Sequence, residues 1–119
     1  MTPFGAKLRE LRQSRSLTQK HMAAALNVSA AYLSALEHGR RSAPSFEFVQ
    51  RVTGYFNIIW DEAEELQRLA SISNPKISID TSGLSPEATE IANQLAQRIS
   101  SMTREELVCL LESVRLPKP

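Results

Sequence analysis

The sequence predicts an all-α fold, five helices followed by two more. Three observations predict it. Apolar residues recur at spacings of three and four along most of the chain, the period of a helix with one buried face. A capping Ser or Thr stands just before most of these runs, where its oxygen accepts one of the unpaired N–H groups of a first helical turn. Apolar–polar alternation is confined to Ile77 and Ile79, which leaves room for a short strand at most.

The elements follow in order. Thr2-Pro3 offers a cap and a first-turn proline for a helix that buries Leu8 and Leu11. Thr18 caps a second helix, Gln19 to Leu26, with Met22, Ala23 and Leu26 inward. Ser29 caps a third, Ala30 to His38, with Leu33 and Leu36 inward and Gly39 placed to close it. Ser45 caps a fourth, with Phe46, Val49, Val52 and Phe56 expected on one stripe. A fifth, from about Trp60 to Ala70, carries Leu66 and Leu69, with Trp60 expected to pack beneath it. Its acidic first turn, Asp61 and Glu62, suits the positive end of a helix dipole.

The composition then changes. Residues 71–85 hold Asn74-Pro75, Ser82-Gly83 and further hydroxyl side chains, and read as a linker or an ordered loop. Ser85-Pro86 starts a sixth helix with a seam at Ala88, Ile91, Ala92, Leu95, Ala96 and Ile99. Thr103 and Glu106 form a capping box for a seventh, with Met102 and Leu107 at the staple positions. It carries Leu107, Leu110, Leu111 and Val114 and is expected to stop before Pro117. The domain organisation expected is 1–70, a linker 71–85 and a C-terminal helical segment 86–119.

With 119 residues, 42% of them apolar and 23% charged, the chain holds one compact domain and a little more. It has no apolar run of the roughly 18 residues that a membrane span needs. Residues 1–5 do not resemble a secretory signal, so a cytoplasmic location is expected. A single cysteine, Cys109, excludes an intrachain disulfide and a multi-cysteine zinc site. No phosphate-binding glycine loop or His/Asp/Glu cluster is visible, so no metal, cofactor or catalytic residue is expected. Cys109 as a nucleophile has no histidine near it in sequence, and a buried or interface thiol is the better reading.

Charge is segregated along the chain. Residues 1–55 carry eight Lys and Arg against three Glu, a net +5, and residues 56–119 carry a net −4. A basic front points to a polyanion, although solvated charges segregated by chance would look the same.

The densest signal is the pair of short helices joined by Asn27-Val28-Ser29. A sharp bend there needs positive φ, which asparagine tolerates better than any residue except glycine. Val28 would plug the gap between the helices and Ala23 would let them cross closely. The start of the third helix is then exposed, as a reader of the major groove requires.

Here the chain resembles the XRE family, the lambda-repressor-like helix-turn-helix proteins, over roughly residues 4–70. The residues that carry the resemblance are Leu8, Leu11-Arg12, Leu17-Thr18-Gln19, Met22-Ala23, Leu26-Asn27-Val28-Ser29, Tyr32-Leu33-Ser34, Leu36-Glu37, Gly39, Arg41 and Pro44. The resemblance implies a five-helix DNA-binding domain in a bacterial or phage-type transcriptional regulator, with repression and activation both open. It implies that Gln19 anchors a phosphate, that Arg40 and Arg41 contact the backbone, and that Ala30, Ala31, Tyr32, Ser34 and Ala35 face the groove. Thr18, Lys20 and Ser29 complete the expected DNA-binding set. The family often pairs the residues at the positions of Arg12 and Glu37, and here the pair could be partly buried or solvated. Tyr32 could equally rim the core, and His21 and His38 are expected to be exposed.

The sequence also departs from the family. Positions 30, 31 and 35 usually carry hydrogen-bonding side chains, and here all three are alanine. Alanine cannot make the bidentate base contacts that discriminate by about 1–3 kcal/mol each. Readout would fall to Tyr32, Ser34, Lys20 and Arg40 and to DNA shape, and a second copy on a palindrome would recover selectivity. The two C-terminal stripes are too apolar to stand alone, so oligomerisation through Ile91, Leu95, Ile99, Leu107, Leu110, Leu111 and Val114 is expected. Each chain would give a helical hairpin to a dimer or tetramer, unless the stripes fold back on the first domain. The competing reading is a protein-binding module on the same fold, an antitoxin or a coactivator-like adapter.

Overall fold

The computed structural model describes residues 1–115, all of whose regular elements are helical. They are α1 (Pro3–Ser14), α2 (Gln19–Leu26), α3 (Ala30–Glu37), α4 (Phe46–Tyr55), α5 (Trp60–Ser71), α6 (Pro86–Arg98) and α7 (Arg104–Val114). A single 3-10 turn, Ile99–Ser101, follows α6. The stop expected before Pro117 lies outside the described residues. No strand forms among the described residues, and Ile77 and Ile79 are exposed with no partner strand to pair with.

The caps work locally. The side chains of Thr2, Thr18, Ser29, Ser45, Ser85 and Thr103 each accept the N–H three residues on, from Gly5, His21, Tyr32, Phe48, Ala88 and Glu106. Each such bond satisfies a donor that a helix start otherwise leaves to water. Glu106 bonds back to the Thr103 N–H and completes the capping box. Those bonds from Thr103 hold the exposed Glu106 carboxyl below its ordinary pKa.

The chain divides into two compact units, Met1–Ile77 and a second beginning at Ser78. In the first, α3 packs on α1 and α2, α4 packs on α2, and α5 closes on α1 and α4. Between them lie Phe4, Leu8, Met22, Leu26, Leu33, Leu36, Phe48, Val49, Val52, Phe56 and Leu66, all buried. Gly5 is part of this packing, because a Cβ there would collide with the Leu36 carbonyl oxygen. Ala23 is buried where α2 meets α3, and half-buried Val28 packs against the core from the turn.

Two apolar residues depart from expectation. Phe46 is 62% exposed, and Phe48 takes the inward place beside Val49 and Val52. Phe48, Val52 and Phe56 form one row at spacing four, and Phe46 lies off it. Trp60 does not pack beneath α5 but is 82% exposed. It enters α5 from a left-handed backbone, φ 54°, after the extended Ile59, while Leu66 and Ala70 supply the buried face.

The first unit also runs past residue 70. Ser73 is buried, and its hydroxyl donates to the Leu69 carbonyl and accepts the Phe4 N–H at 2.9 Å. Asn74 Oδ1 accepts the Ala43 N–H at 2.8 Å. Ser73 and Asn74, at the start of the stretch read as a linker or ordered loop, are thus bonded into the first unit.

In the second unit none of the residues 78–115 is buried. α6 runs through the turn Ile99–Ser101 into α7, and neither helix has a buried side chain. The link between them is polar, Arg98 Nη2 to Glu106 Oε2 at 3.5 Å. Ile91, Ile99, Leu110, Leu111 and Val114 are exposed, while Leu95 and Leu107 are half-buried.

Candidate nucleic-acid interface

The site begins at the turn between α2 and α3. Asn27 sits in the left-handed region at φ 61° and ψ 44°, the conformation that the bend was expected to need. Its N–H bonds the Ala24 carbonyl and the Val28 N–H bonds that of Ala23, which closes α2 without a glycine. Ser29 then caps α3 at once. Three residues, Asn27 to Ser29, therefore join the helices, with Val28 alone between the two caps, and the first turn of α3 is left exposed at Ala30 and Ala31.

α3 is divided by depth. Leu33, Leu36 and Glu37 are buried, Tyr32, Ser34 and Ala35 are half-buried, and Ala30 and Ala31 are exposed. Gly39, at φ 70°, ends the helix, and the Arg40 N–H bonds the Ala35 carbonyl. Arg40 and Arg41 follow as exposed residues of the loop into α4. His21 and His38 are exposed, and His38 Nδ1 lies 2.8 Å from the Ser34 carbonyl.

A chain of rings and cations fixes one flank. The Arg41 guanidinium lies over the Tyr32 ring at 5.2 Å, and Tyr32 meets Phe48 edge-on at 5.7 Å. Arg51 lies over Phe48 at 5.7 Å and donates to the Leu26 carbonyl at 2.7 Å. Tyr32 thus rims the core and holds Arg41 at the same time. Arg51 was counted in the basic front but not placed, and its signal in the sequence was the spacing of three from Phe48.

The other flank is held by Glu37, which is 1% exposed. Arg12, itself half-buried, donates to it through Nε at 2.8 Å and Nη2 at 3.0 Å, so the pair is bidentate and partly buried rather than solvated. These hydrogen bonds raise the Arg12 guanidinium above its ordinary pKa against the opposing effect of burial. Gln19 Nε2 also donates to Glu37, at 3.2 Å. The Gln19 amide is therefore engaged with the protein, and its neighbour Lys20 is exposed. Thr18 bonds His21, which leaves the first N–H groups of α2, those of Gln19 and Lys20, without a helical acceptor.

Together the start of α2, the outer face of α3 and the Arg40–Arg41 loop offer N–H donors, exposed cations and small side chains. Donors, cations and small side chains of this kind are chemically suited to phosphate oxygens. Among the described residues no group of three or more His, Cys, Asp or Glu is placed to hold a metal. Cys109 is an exposed thiol on α7, not buried in this chain. No helix of the described residues is long and apolar enough to cross a membrane.

A family model described as a helix-turn-helix domain matches residues 3–66, more than half the chain. A stretch of 61 residues is 33% identical to the uncharacterized HTH-type transcriptional regulator RghRB of Bacillus subtilis (strain 168), covering 51% of this chain and 44% of that protein. A stretch of 52 residues is 46% identical to the HTH-type transcriptional regulator DdrOP3 of Deinococcus deserti, covering 44% of this chain and 40% of that protein. The similarity thus spans less than half the length of either relative. No solved structure matches.

Proposed function

The chain belongs to the helix-turn-helix domain family, and from that premise we propose that it is a sequence-specific DNA-binding transcriptional regulator of the XRE type. α3 lies in the major groove with Ala30, Ala31, Tyr32, Ser34 and Ala35 toward the bases. Thr18, Gln19, Lys20 and Ser29, with Arg40 and Arg41, meet the phosphates on either side. The observation that carries this reading is the exposed start of α3, delivered by left-handed Asn27 and flanked by the loop arginines.

The regulator works as a dimer or tetramer. The apolar faces of α6 and α7, at Ile91, Leu95, Ile99, Leu107, Leu110, Leu111 and Val114, meet those of a second copy. Helices of 13 and 11 residues with no buried side chain are marginal alone, and pairing removes their apolar faces from water. The same exposed faces favour a second reading, an adapter or antitoxin that holds another protein. Selection of bound duplexes from a random pool, followed by a footprint upstream of its own gene, tests the choice. Enrichment of a palindrome with two half-sites supports the regulator; absence of any enriched duplex supports the adapter.

A further inference from the structure

We propose that Asn74 is a positioning residue for DNA binding, holding the Arg40–Arg41 loop through its bond to Ala43. The inference rests on the reading above that this loop meets phosphates.

The loop is tied at both ends by α3 and α4. The Arg40 N–H bonds Ala35, and Ser45 caps α4 through the Phe48 N–H. Between these ends the structure shows one further backbone tether, the Ala43 N–H to Asn74 Oδ1 at 2.8 Å. The acceptor comes from 31 residues away, so it is not part of the loop's own turn chemistry.

Asn74 is itself aimed from both sides. Before it, buried Ser73 is fixed by its bonds to Phe4 and Leu69. After it, Pro75 confines Asn74 to extended backbone, because the proline ring clashes with a helical predecessor. The side chain thus projects from a strap anchored at the start of α1 and the end of α5. Gly39 at φ 70° and the stack of Arg41 on Tyr32 leave the loop little to adjust but its second half, which Asn74 holds. Phosphate contacts gain from such fixing, because ordering a free loop opposes binding.

The full-length chain is titrated with a mixed-sequence duplex, since phosphate contacts do not depend on sequence. Asn74→Ala should weaken binding about five- to tenfold, the worth of one lost hydrogen bond at an ordered site. Amide exchange at Ala43 should lose its protection in Asn74→Ala and keep it in Asn74→Asp, which retains the acceptor. In a background carrying Arg40→Ala and Arg41→Ala, Asn74→Ala should have no further effect on affinity. An equal loss in that background overturns the proposal, as does Asn74→Ala with wild-type affinity. If the double arginine variant itself binds as wild type does, the reading of the loop fails instead, and the exchange data still report the tether.

Discussion

Arg12 on α1 and Glu37 at the end of α3 are joined by two parallel charge-assisted bonds, Nε to Oε2 at 2.8 Å and Nη2 to Oε1 at 3.0 Å. Nη1 of the same guanidinium holds the Leu17 carbonyl at 2.9 Å, so one side chain links α1, α3 and the approach to α2. Arg12→Ala would leave a buried carboxylate with only the Gln19 amide. The expected loss is about 3–5 kcal/mol, against roughly 0–1 for an exposed pair. Thermal melts of Arg12→Ala beside Lys7→Ala, whose partner Glu10 is exposed, check it. Equal shifts in the two variants would count against a buried pair.

Gly5 predicts a second loss at the same junction. Its absent Cβ lets α1 approach the carbonyls of Leu36 and Glu37 at the end of α3. Gly5→Ala must push the helices apart, and overpacking of this kind costs about 1–3 kcal/mol. The usual gain of about 1 kcal/mol for alanine over glycine in a helix does not offset the clash. A melting point at or above wild type would show that α1 and α3 sit further apart than described.

Arg40→Ala with Arg41→Ala tests the loop directly. Binding should weaken on every duplex sequence, and the slope of log affinity against log salt should flatten by up to about two. An unchanged slope removes both arginines from the interface. Tyr32 should stay packed on Phe48 in that variant, so the melting point should hardly move.

Assembly is tested at Leu95. The wild type should sediment as a dimer or larger at tens of micromolar, and Leu95→Asp as a folded monomer. A carboxylate buried unpaired between subunits costs several kcal/mol, enough to split an interface of short helices. The core of Met1–Ile77 should survive, because Leu33, Val49 and their neighbours belong to that unit alone. The monomer should keep weak binding to a half-site and lose most affinity for a palindrome. A monomeric wild type would end the oligomer reading.

Much of the first unit was legible because its signals are local. A serine before a helix and the residue three positions on are fixed by one turn of backbone, and Asn27 was named for its left-handed conformation from the bend alone. The stripe of α4 was less certain because Phe46 and Phe48 both satisfy an apolar pattern, and only packing against α2 and α5 chooses between them. Trp60 misled for the opposite reason, since a large ring is expected inside and its exposure depends on the backbone at Ile59 and Trp60. Ser73, Asn74 and Arg51 all bond segments far away in sequence, and the spacing of Arg51 from Phe48 reports its ring contact but not its bond to Leu26. At the start of α2 the family resemblance named Gln19 for phosphate, but its tie to Glu37 follows from how α2 and α3 cross.

The alanines of α3 have a consequence for how such a protein changes over time. Ala30 and Ala31 touch solvent and carry nothing, while Leu33 and Leu36 one turn on hold the fold. Stability and selectivity are thus written on separate letters of the same helix. If α3 reads bases as proposed, a single step such as Ala30→Gln or Ala31→Arg would add a base-reading side chain at a cost of about a few tenths of a kcal/mol in helix propensity. On the proposed reading, the scaffold can therefore change operator while its buried core stays intact. Each new contact is tried on a surface that the core never sees.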